Sequence, residues 1–225
     1  MRNPPKLALW DIDGTLATPS LERQFVDFLM RTGRSSPARI VASALLLACR
    51  WPPTMYRMKL PYVRSEPTER VIEWVEHWWS DRGERSLLPG ASRTLHMMRE
   101  RGVEIVLLSG TADFLAARVA RHFGVSQFIA GRAEILAGRY TGALVAPHPH
   151  GRYKLDYAEA WMGDRQSLWH QTCALGDHEG DVPLLARAGL PVAVNPRPRL
   201  QLEAARRGWP VVTDDMLPAA LLENM

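Results

Sequence analysis

Four short groups of polar residues in this 225-residue chain have side chains that can take part in catalysis. The first is a pair of carboxylates, Asp11 and Asp13, directly after the brief apolar segment from Lys6 to Trp10. Such a segment predicts a buried strand, and Gly14 allows a tight backbone path after it. Because open α/β sheets bind ligands at the carboxyl ends of their strands, the spacing indicates reactive acids at a strand end. An Asp-Gly turn without chemistry is the alternative.

The second group, Ser109 and Gly110, follows the apolar segment from Val103 to Leu108. Helical spacing of apolar residues comes next, at Leu115, Val119 and Phe123. The pattern predicts a strand and then a helix, with Ser109 close to the amino end of the helix. Free N–H groups and the helix dipole favour phosphate there, and a simple helix cap is the alternative.

The third group is a single lysine, Lys154, one of three lysines in a chain that is otherwise rich in arginine. It begins an amphipathic helical pattern that continues through Leu155, Ala158 and Trp161. The fourth group contains Asp177 and Asp181, which follow a predicted strand from Thr172 to Leu175. Acids therefore stand at the ends of two predicted strands.

In chain order, these groups resemble the four motifs of the haloacid dehalogenase-like hydrolase superfamily, whose members are mostly magnesium-dependent phosphatases. By this resemblance, Asp11 attacks phosphorus to form an aspartyl phosphate. Asp13 protonates the leaving oxygen and then deprotonates the attacking water. Lys154 offsets negative charge, and the substrate phosphate is bound by Thr15, Ser109 and Gly110.

The resemblance also implies Mg²⁺, which prefers the all-oxygen ligands that these motifs offer. Asp11 and Asp177 would bind the ion through their side chains, and Asp13 through its main-chain carbonyl. Asp181 would lie behind these ligands and would not bind the ion directly.

The fourth motif departs from the phosphoserine phosphatase-like branch, which the chain otherwise resembles. That branch usually has Ser after the first Asp and Asn before the second, where this chain has His178 and Gly180. The change removes an amide contact to the substrate phosphate, and His178 either compensates for it or faces solvent.

The spacing predicts an α/β fold with a Rossmann-like, mostly parallel sheet, helices on both faces and an inserted helical cap. We assign residues 1–16 and 88–225 to the catalytic core and residues 17–87 to the cap, since that interval is too long for an ordinary connection. The cap has two apolar helical faces, Leu21, Phe25, Phe28 and Leu29 in the first and Val71, Ile72, Val75, Trp78 and Trp79 in the second. A β-hairpin is predicted from Ala133 to Val145, and short strands from Pro191 to Asn195 and Pro210 to Val212.

Substrate choice must come from the cap, where the apolar run from Ile40 to Cys49 precedes mixed basic and aromatic residues. These are Arg50, Trp51, Tyr56, Arg57, Lys59, Tyr62 and Arg64. The pattern is similar to the apolar cap of bacterial phosphatidylglycerophosphate phosphatases and suits an anionic membrane surface. Ordinary cap packing with a solvated basic edge is the alternative. The predicted substrate is a phosphomonoester of a small metabolite or a lipid headgroup.

A net charge of +4 and a pI near 9.4 favour anionic ligands, but scattered arginines give no reason to expect nucleic acid. Two cysteines and the lack of a long apolar run predict a cytoplasmic protein, with peripheral contact at the inner membrane surface through the cap. His148-Pro149-His150 offers a metal pair, but its prolines indicate a loop. A phospholigand-binding protein with little or no activity is the functional alternative.

Overall fold

A computed structural model describes residues 5–50 and 60–222 of the chain. Within these ranges, six parallel strands form the main sheet in the order β3-β2-β1-β6-β7-β8. They are β1 (Leu7–Trp10), β2 (Glu104–Ala112), β3 (Gln127–Gly131), β6 (Thr172–Gly176), β7 (Leu190–Val194) and β8 (Val211–Val212). The antiparallel hairpin consists of β4 (Ala133–Leu136) and β5 (Arg139–Leu144). The predicted parallel sheet and hairpin are confirmed.

Helices cover both faces of this sheet because its central strands are apolar on both sides. In β1, Leu7 and Leu9 face one layer, while Ala8 and Trp10 face the other. The first layer contains α6 (Arg152–Met162), α7 (Val182–Arg187) and α8 (Pro198–Arg207). The second contains α4 (Pro89–Glu100), α5 (Asp113–Phe123) and α9 (Leu217–Leu222). The predicted α/β architecture is thus observed.

Within the described residues, three α-helices lie between β1 and α4 in the chain. They are α1 (Leu21–Arg31), α2 (Pro37–Arg50) and α3 (Thr68–Trp78). The ring of Phe25 on α1 packs 5.7 Å from Trp78 and 6.0 Å from Phe114 on α5, measured between centroids. Aromatic burial of this kind fixes the helical segment against the core.

The apolar face predicted for α1 is buried throughout, whereas the face predicted for α3 is not. Ile72 is 49% exposed, because the buried side of α3 is narrower than the apolar pattern suggests. Tyr62 also differs from its predicted interfacial position: it is buried, with its ring 6.2 Å from that of Phe25. Trp51, Tyr56, Arg57 and Lys59 lie outside the described residues.

Strand β2 is longer than its apolar segment predicts. The sequence places Ser109 near the start of a helix, but β2 continues to Ala112 and α5 begins only at Asp113. The pairing of β2 with β3 changes register between Leu108 and Ala112. Polar but buried residues therefore continue this strand beyond its apolar part. Ser109 lies within β2, so neither its predicted place beside the helix start nor the alternative of a helix cap is observed.

No helix within the described ranges combines the length and apolar character needed to span a membrane. Cys173 is a buried free thiol on β6. Burial raises the pKa of this thiol well above its usual value.

Candidate active site

The register of three central strands brings the predicted site residues to one edge of the sheet. Trp10 of β1 is aligned with Leu107 of β2 and with Leu175 of β6. Asp11 therefore emerges next to the ends of both neighbouring strands, and its backbone N–H donates to the Leu175 carbonyl at 3.1 Å. Residues that follow these strands must converge in space, although they are far apart in the chain.

Convergence produces a cavity of about 280 Å³ at the carboxyl ends of these strands. It is lined by all but one of the predicted site residues, namely Asp11, Asp13, Ser109, Gly110, Lys154, Asp177 and Asp181. The exception is Thr15, which is fully buried and donates a long hydrogen bond of 3.4 Å to Asp11 Oδ2. Thr15 thus contacts the carboxylate of Asp11 from behind the cavity.

Lys154 connects two of the carboxylates in the cavity. Its Nζ lies 2.7 Å from Asp11 Oδ1 and 2.5 Å from Asp181 Oδ1, and all three side chains are almost fully buried. Burial lowers the pKa of Lys154, but the charges of Asp11 and Asp181 outweigh it and raise that pKa above its usual value. The lysine is therefore a permanent positive charge beside Asp11.

Burial raises the pKa of Asp11 to about 7, and the charge of Lys154 opposes this shift. The nearby Asp181 and Asp177 carboxylates raise it further. Burial and the charge of Asp181 likewise raise the pKa of Asp177, whereas Arg197 lowers it. The site thus holds more negative charge than its lysine balances.

Asp11, Asp177 and Asp181 each offer a carboxylate oxygen, and these oxygens all lie within 4.8 Å of one another. Buried carboxylates at such distances repel one another unless a cation neutralises them. Hard oxygen donors suit Mg²⁺ better than they suit a softer metal ion. The donor set therefore fits the predicted ion, with Asp11 and Asp177 available as ligands. Asp181 is already engaged by Lys154 and by the N–H of His178, at 3.1 Å from its Oδ2.

The surroundings of Gly14 show how closely the first and fourth motifs approach each other. Its φ is +91°, and a Cβ at this position would lie 2.2 Å from Asp177 Oδ2. A larger residue would displace the Asp177 carboxylate and would be strained in this backbone conformation. The glycine after Asp13 thus lets the Asp177 carboxylate enter the cavity.

Asp13 is held by three donors from two different elements. Its Oδ1 accepts from the N–H of Leu21 at 2.8 Å, and its Oδ2 accepts from the hydroxyls of Thr111 at 2.7 Å and Ser20 at 3.3 Å. Burial raises the pKa of Asp13, while these hydrogen bonds oppose the shift. A raised pKa makes the carboxylate form of Asp13 a stronger base, which suits this residue to proton transfer.

Seven further residues belong to this site but were not among the predicted site residues: Glu22, Thr111, His148, Pro149, His150, His178 and Arg197. Thr111 is two residues after Ser109, and its bond to Asp13 depends on the extension of β2. Arg197 follows β7, and its Nε donates to Asp177 Oδ2 at 3.1 Å. His148 and His150 belong to the loop that the prolines predict, and this loop reaches the cavity.

A second, larger cavity of about 820 Å³ lies between α1 and α2 and adjoins the first. Glu22 and His148 line both cavities. Burial raises the pKa of Glu22 to about 7. The boundary between the two cavities therefore carries a carboxyl group and an imidazole.

Comparison with known proteins agrees with this geometry. The model of the haloacid dehalogenase-like hydrolase family matches residues 8–186. The chain is 24% identical over 216 residues to a histidinol-phosphatase from Neisseria meningitidis serogroup C (strain 8013), covering 92% of this chain and 97% of that protein. It is also 29% identical over 156 residues to phosphoserine phosphatase SerB1 from Mycobacterium tuberculosis, covering 69% of this chain. The match spans half the length of that second relative.

Among solved structures, a protein with unknown function from Bordetella pertussis Tohama I is similar to this chain. It has a TM-score of 0.81 and 28% sequence identity, with 93% of this chain and 99% of that one covered. The family match, the phosphatase relatives and the convergent acids agree with one another. The chain belongs to the haloacid dehalogenase-like hydrolase family, and within that family it is similar to proteins named as phosphatases.

Proposed function

We propose that this protein is a Mg²⁺-dependent phosphatase that hydrolyses a phosphomonoester of a small metabolite through an aspartyl phosphate on Asp11. The observation that carries the proposal is the buried contact of Lys154 with both Asp11 and Asp181, in the cavity that Asp13, Ser109 and Asp177 also line. Phosphate-ester hydrolysis needs a nucleophile, charge neutralisation and proton transfer, and this cavity offers a group for each.

In the first step, an Asp11 carboxylate oxygen forms a bond to phosphorus while the bond from phosphorus to the ester oxygen breaks. Lys154 holds Asp11 Oδ1 and fixes the orientation of the carboxylate. Ser109 and the Gly110 N–H lie in the same cavity and can donate to the phosphoryl oxygens. When bound, Mg²⁺ supplies positive charge that neutralises the phosphoryl oxygens and the surrounding carboxylates.

Asp13 is placed to transfer the protons of both steps. It would donate a proton to the departing ester oxygen and later accept one from the water that attacks phosphorus and releases Asp11. Hydrogen bonds from Leu21 N–H, Ser20 and Thr111 hold its carboxyl group in one position. Its raised pKa favours the protonated form that the first step requires.

Assays of phosphorylated metabolites and phospholipid headgroup esters with Mg²⁺ test this proposal. We expect turnover of at least one phosphomonoester, which excess EDTA abolishes and added Mg²⁺ restores, because uncompensated carboxylates would repel a phosphate dianion. Turnover that survives EDTA would contradict the role of the metal. A protein that binds phosphate esters without turnover across a broad panel would support the phospholigand-binding alternative.

The larger cavity favours a substrate whose organic part leaves the phosphoryl pocket past Glu22. We propose that helices α1 to α3 act as the cap over this part of the substrate, and that residues 17–87 form the cap domain. Histidinol phosphate and phosphoserine, the substrates named for two relatives, both carry an amino group. The Glu22 carboxylate at the junction of the two cavities could pair with such an ammonium group, which would lower the pKa of Glu22 and keep it charged.

Glu22→Gln tests this substrate class. We expect the KM for an amine-bearing phosphate ester to rise about 10-fold or more, because a charge-assisted hydrogen bond contributes roughly 1.5–3 kcal/mol. The KM for p-nitrophenyl phosphate, which has no amine, should not change. Steady-state kinetics with both substrates measures the difference. The exposed Glu73→Gln on α3 is the matched control, and equal effects of Glu22→Gln on both substrates would contradict amine recognition.

A peripheral membrane contact through α2 is a second proposal. Val41 and Leu45 are 56% and 61% exposed, and their spacing places them on the same side of the helix, one turn apart. Exposed apolar residues on a helix of a basic protein suit the surface of an anionic bilayer. Such a contact would bring a lipid-headgroup ester within reach of the site.

Vesicle co-sedimentation tests this contact. We expect the wild type to sediment with phosphatidylglycerol vesicles at moderate salt, and the double variant Val41→Ser/Leu45→Ser to stay mostly in the supernatant. A matched double variant at the exposed Val145 and Leu202, far from α2 in the chain, should sediment like the wild type. Absence of wild-type binding would remove both the membrane contact and the lipid substrate.

A further inference from the structure

The loop His148-Pro149-His150 places two imidazole rings in the phosphoryl cavity. Both histidines line it together with Asp11, Ser109 and Lys154. The N–H of His150 donates to the His148 carbonyl at 2.7 Å, and the two ring centroids are 6.2 Å apart. A short, internally bonded loop before α6 thus carries both rings to the site that the four motifs form.

Each ring covers a glycine of the site. A Cβ on Gly110 would lie 2.2 Å from His148 Cε1, and a Cβ on Gly180 would lie 2.6 Å from His150 Cε1. The same Cβ on Gly180 would be 3.1 Å from both ring nitrogens of His150. The edge of the His150 imidazole that carries its nitrogens therefore occupies the space into which any side chain at position 180 would project.

His178 does not fill this space, because its ring is engaged within its own loop. Its Nδ1 accepts from the N–H of Gly180 at 2.9 Å, and its Nε2 lies 3.1 Å from Glu179 Oε2. The His150 ring packs beside it at 5.4 Å between centroids. His178 also lines the cavity, and through these two contacts its ring holds the loop between Asp177 and Asp181.

We propose that His150 is a phosphate-binding residue, whose imidazole donates to a phosphoryl oxygen in the place that a side chain at position 180 would otherwise take. The inference deepens the proposed phosphatase function and rests on it. An imidazole N–H is a good donor to a phosphoryl oxygen, and the cavity otherwise presents many carboxylates to the phosphate. Glycine at position 180 is then required by His150, since the two side chains cannot share one space.

A reciprocal exchange tests this pairing. Inorganic phosphate binding is measured by calorimetry with Mg²⁺ present, and p-nitrophenyl phosphate hydrolysis gives KM and kcat. His150→Ala should weaken phosphate binding and raise KM about 10-fold, with a smaller effect on kcat, because a donor to the phosphate is lost. Gly180→Asn alone should impair binding at least as much, because the new side chain meets the His150 ring.

The double variant His150→Ala/Gly180→Asn should recover phosphate affinity to within about 3-fold of the wild type, because the amide can occupy the vacated space and donate in its turn. A merely structural role of His150 would not give this recovery. His170→Ala, an exposed histidine outside the cavity, is the matched control and should match the wild type. Thermal unfolding of each variant identifies any that fail to fold.

Two results would overturn the inference: unchanged phosphate affinity and KM in His150→Ala, or a double variant that binds phosphate no better than the weaker single variant. Failure of the proposed function is distinguishable from either, because the wild type itself would then show no Mg²⁺-dependent turnover. An active wild type with an unaffected His150→Ala would leave the phosphatase proposal intact.

Discussion

Asp11→Asn is expected to abolish turnover, with kcat falling by at least about 10³-fold, because an amide cannot replace a carboxylate as the nucleophile. The substitution nearly preserves the shape of the side chain. Its amide oxygen can still accept from Lys154, so the fold should be retained. Steady-state kinetics on the best substrate of the ester panel measures the loss, and thermal unfolding checks the fold.

The control for this variant is Asp164→Asn, the same change at an exposed position outside the cavity. It should have wild-type kcat and KM. Equal activity of Asp11→Asn and the wild type would show that Asp11 is not the nucleophile. If the inactive Asp11→Asn variant still binds phosphate, its site is intact and only the chemical step has been lost.

Lys154→Met should lower both activity and stability. Removing the lysine leaves two buried carboxylates, Asp11 and Asp181, without the partner that lies within 2.7 Å of each. Breaking a buried pair by removing one partner typically costs about 3–5 kcal/mol in the free energy of unfolding. We expect a loss of that order, measured by denaturant unfolding at pH 8, and at least about 10²-fold lower kcat.

The destabilisation should depend on pH in a defined direction. Burial already raises the pKa of Asp11 to about 7 with the lysine present, and loss of the lysine raises it further. A carboxyl group whose folded pKa exceeds its unfolded value destabilises the fold increasingly as pH rises through that interval. Lys154→Met should therefore be closest to the wild type at pH 5 and furthest from it at pH 8.

Lys6→Met, at an exposed lysine before β1, is the matched control and should leave stability and kcat unchanged. Added Mg²⁺ should stabilise Lys154→Met more than the wild type, since the ion can neutralise the same carboxylates. A variant as stable as the wild type at pH 8 would contradict the electrostatic role of Lys154.

The sheet could be predicted because its central strands follow a simple rule. Apolar segments such as Val103 to Leu108 are short, continuous and followed by polar residues, as expected of parallel strands buried on both faces. The register that aligns Trp10 with Leu107 and Leu175 then follows from the packing of three such strands. For this reason the sequence predicts that Asp11 and Asp177 converge, whereas the role of Lys154, which lies on α6, is implied only by the family resemblance.

The remaining site residues depend on contacts that no local pattern encodes. Thr111 reaches Asp13 only because β2 continues past its apolar part, where the sequence favours a helix start. Glu22 reaches the cavity because α1 packs against α5 through Phe25 and Phe114. Such placements depend on tertiary packing, which overrides local propensity.

The role of a glycine in the site was the hardest feature to predict from the sequence. From the sequence, Gly180 indicates only that the fourth motif lacks the amide of its usual Asn. In the structure, the lack of a side chain at this position makes room for the His150 ring. His150 lies thirty positions before Gly180 in the chain, in a loop whose prolines indicated little beyond a turn. The contact between them forms only when the loop before α6 and the loop after β6 lie side by side.

The most direct test of the account is to trap the covalent intermediate. Enzyme mixed with substrate and Mg²⁺ is quenched during turnover and reduced with borohydride, which converts an aspartyl phosphate to homoserine, and its peptides are sequenced by mass spectrometry. We predict homoserine at position 11 in the wild type, dependent on substrate, and none in Asp11→Asn. Reduction at a different carboxylate, or no trapped residue in an enzyme that turns over, would contradict Asp11 as the nucleophile.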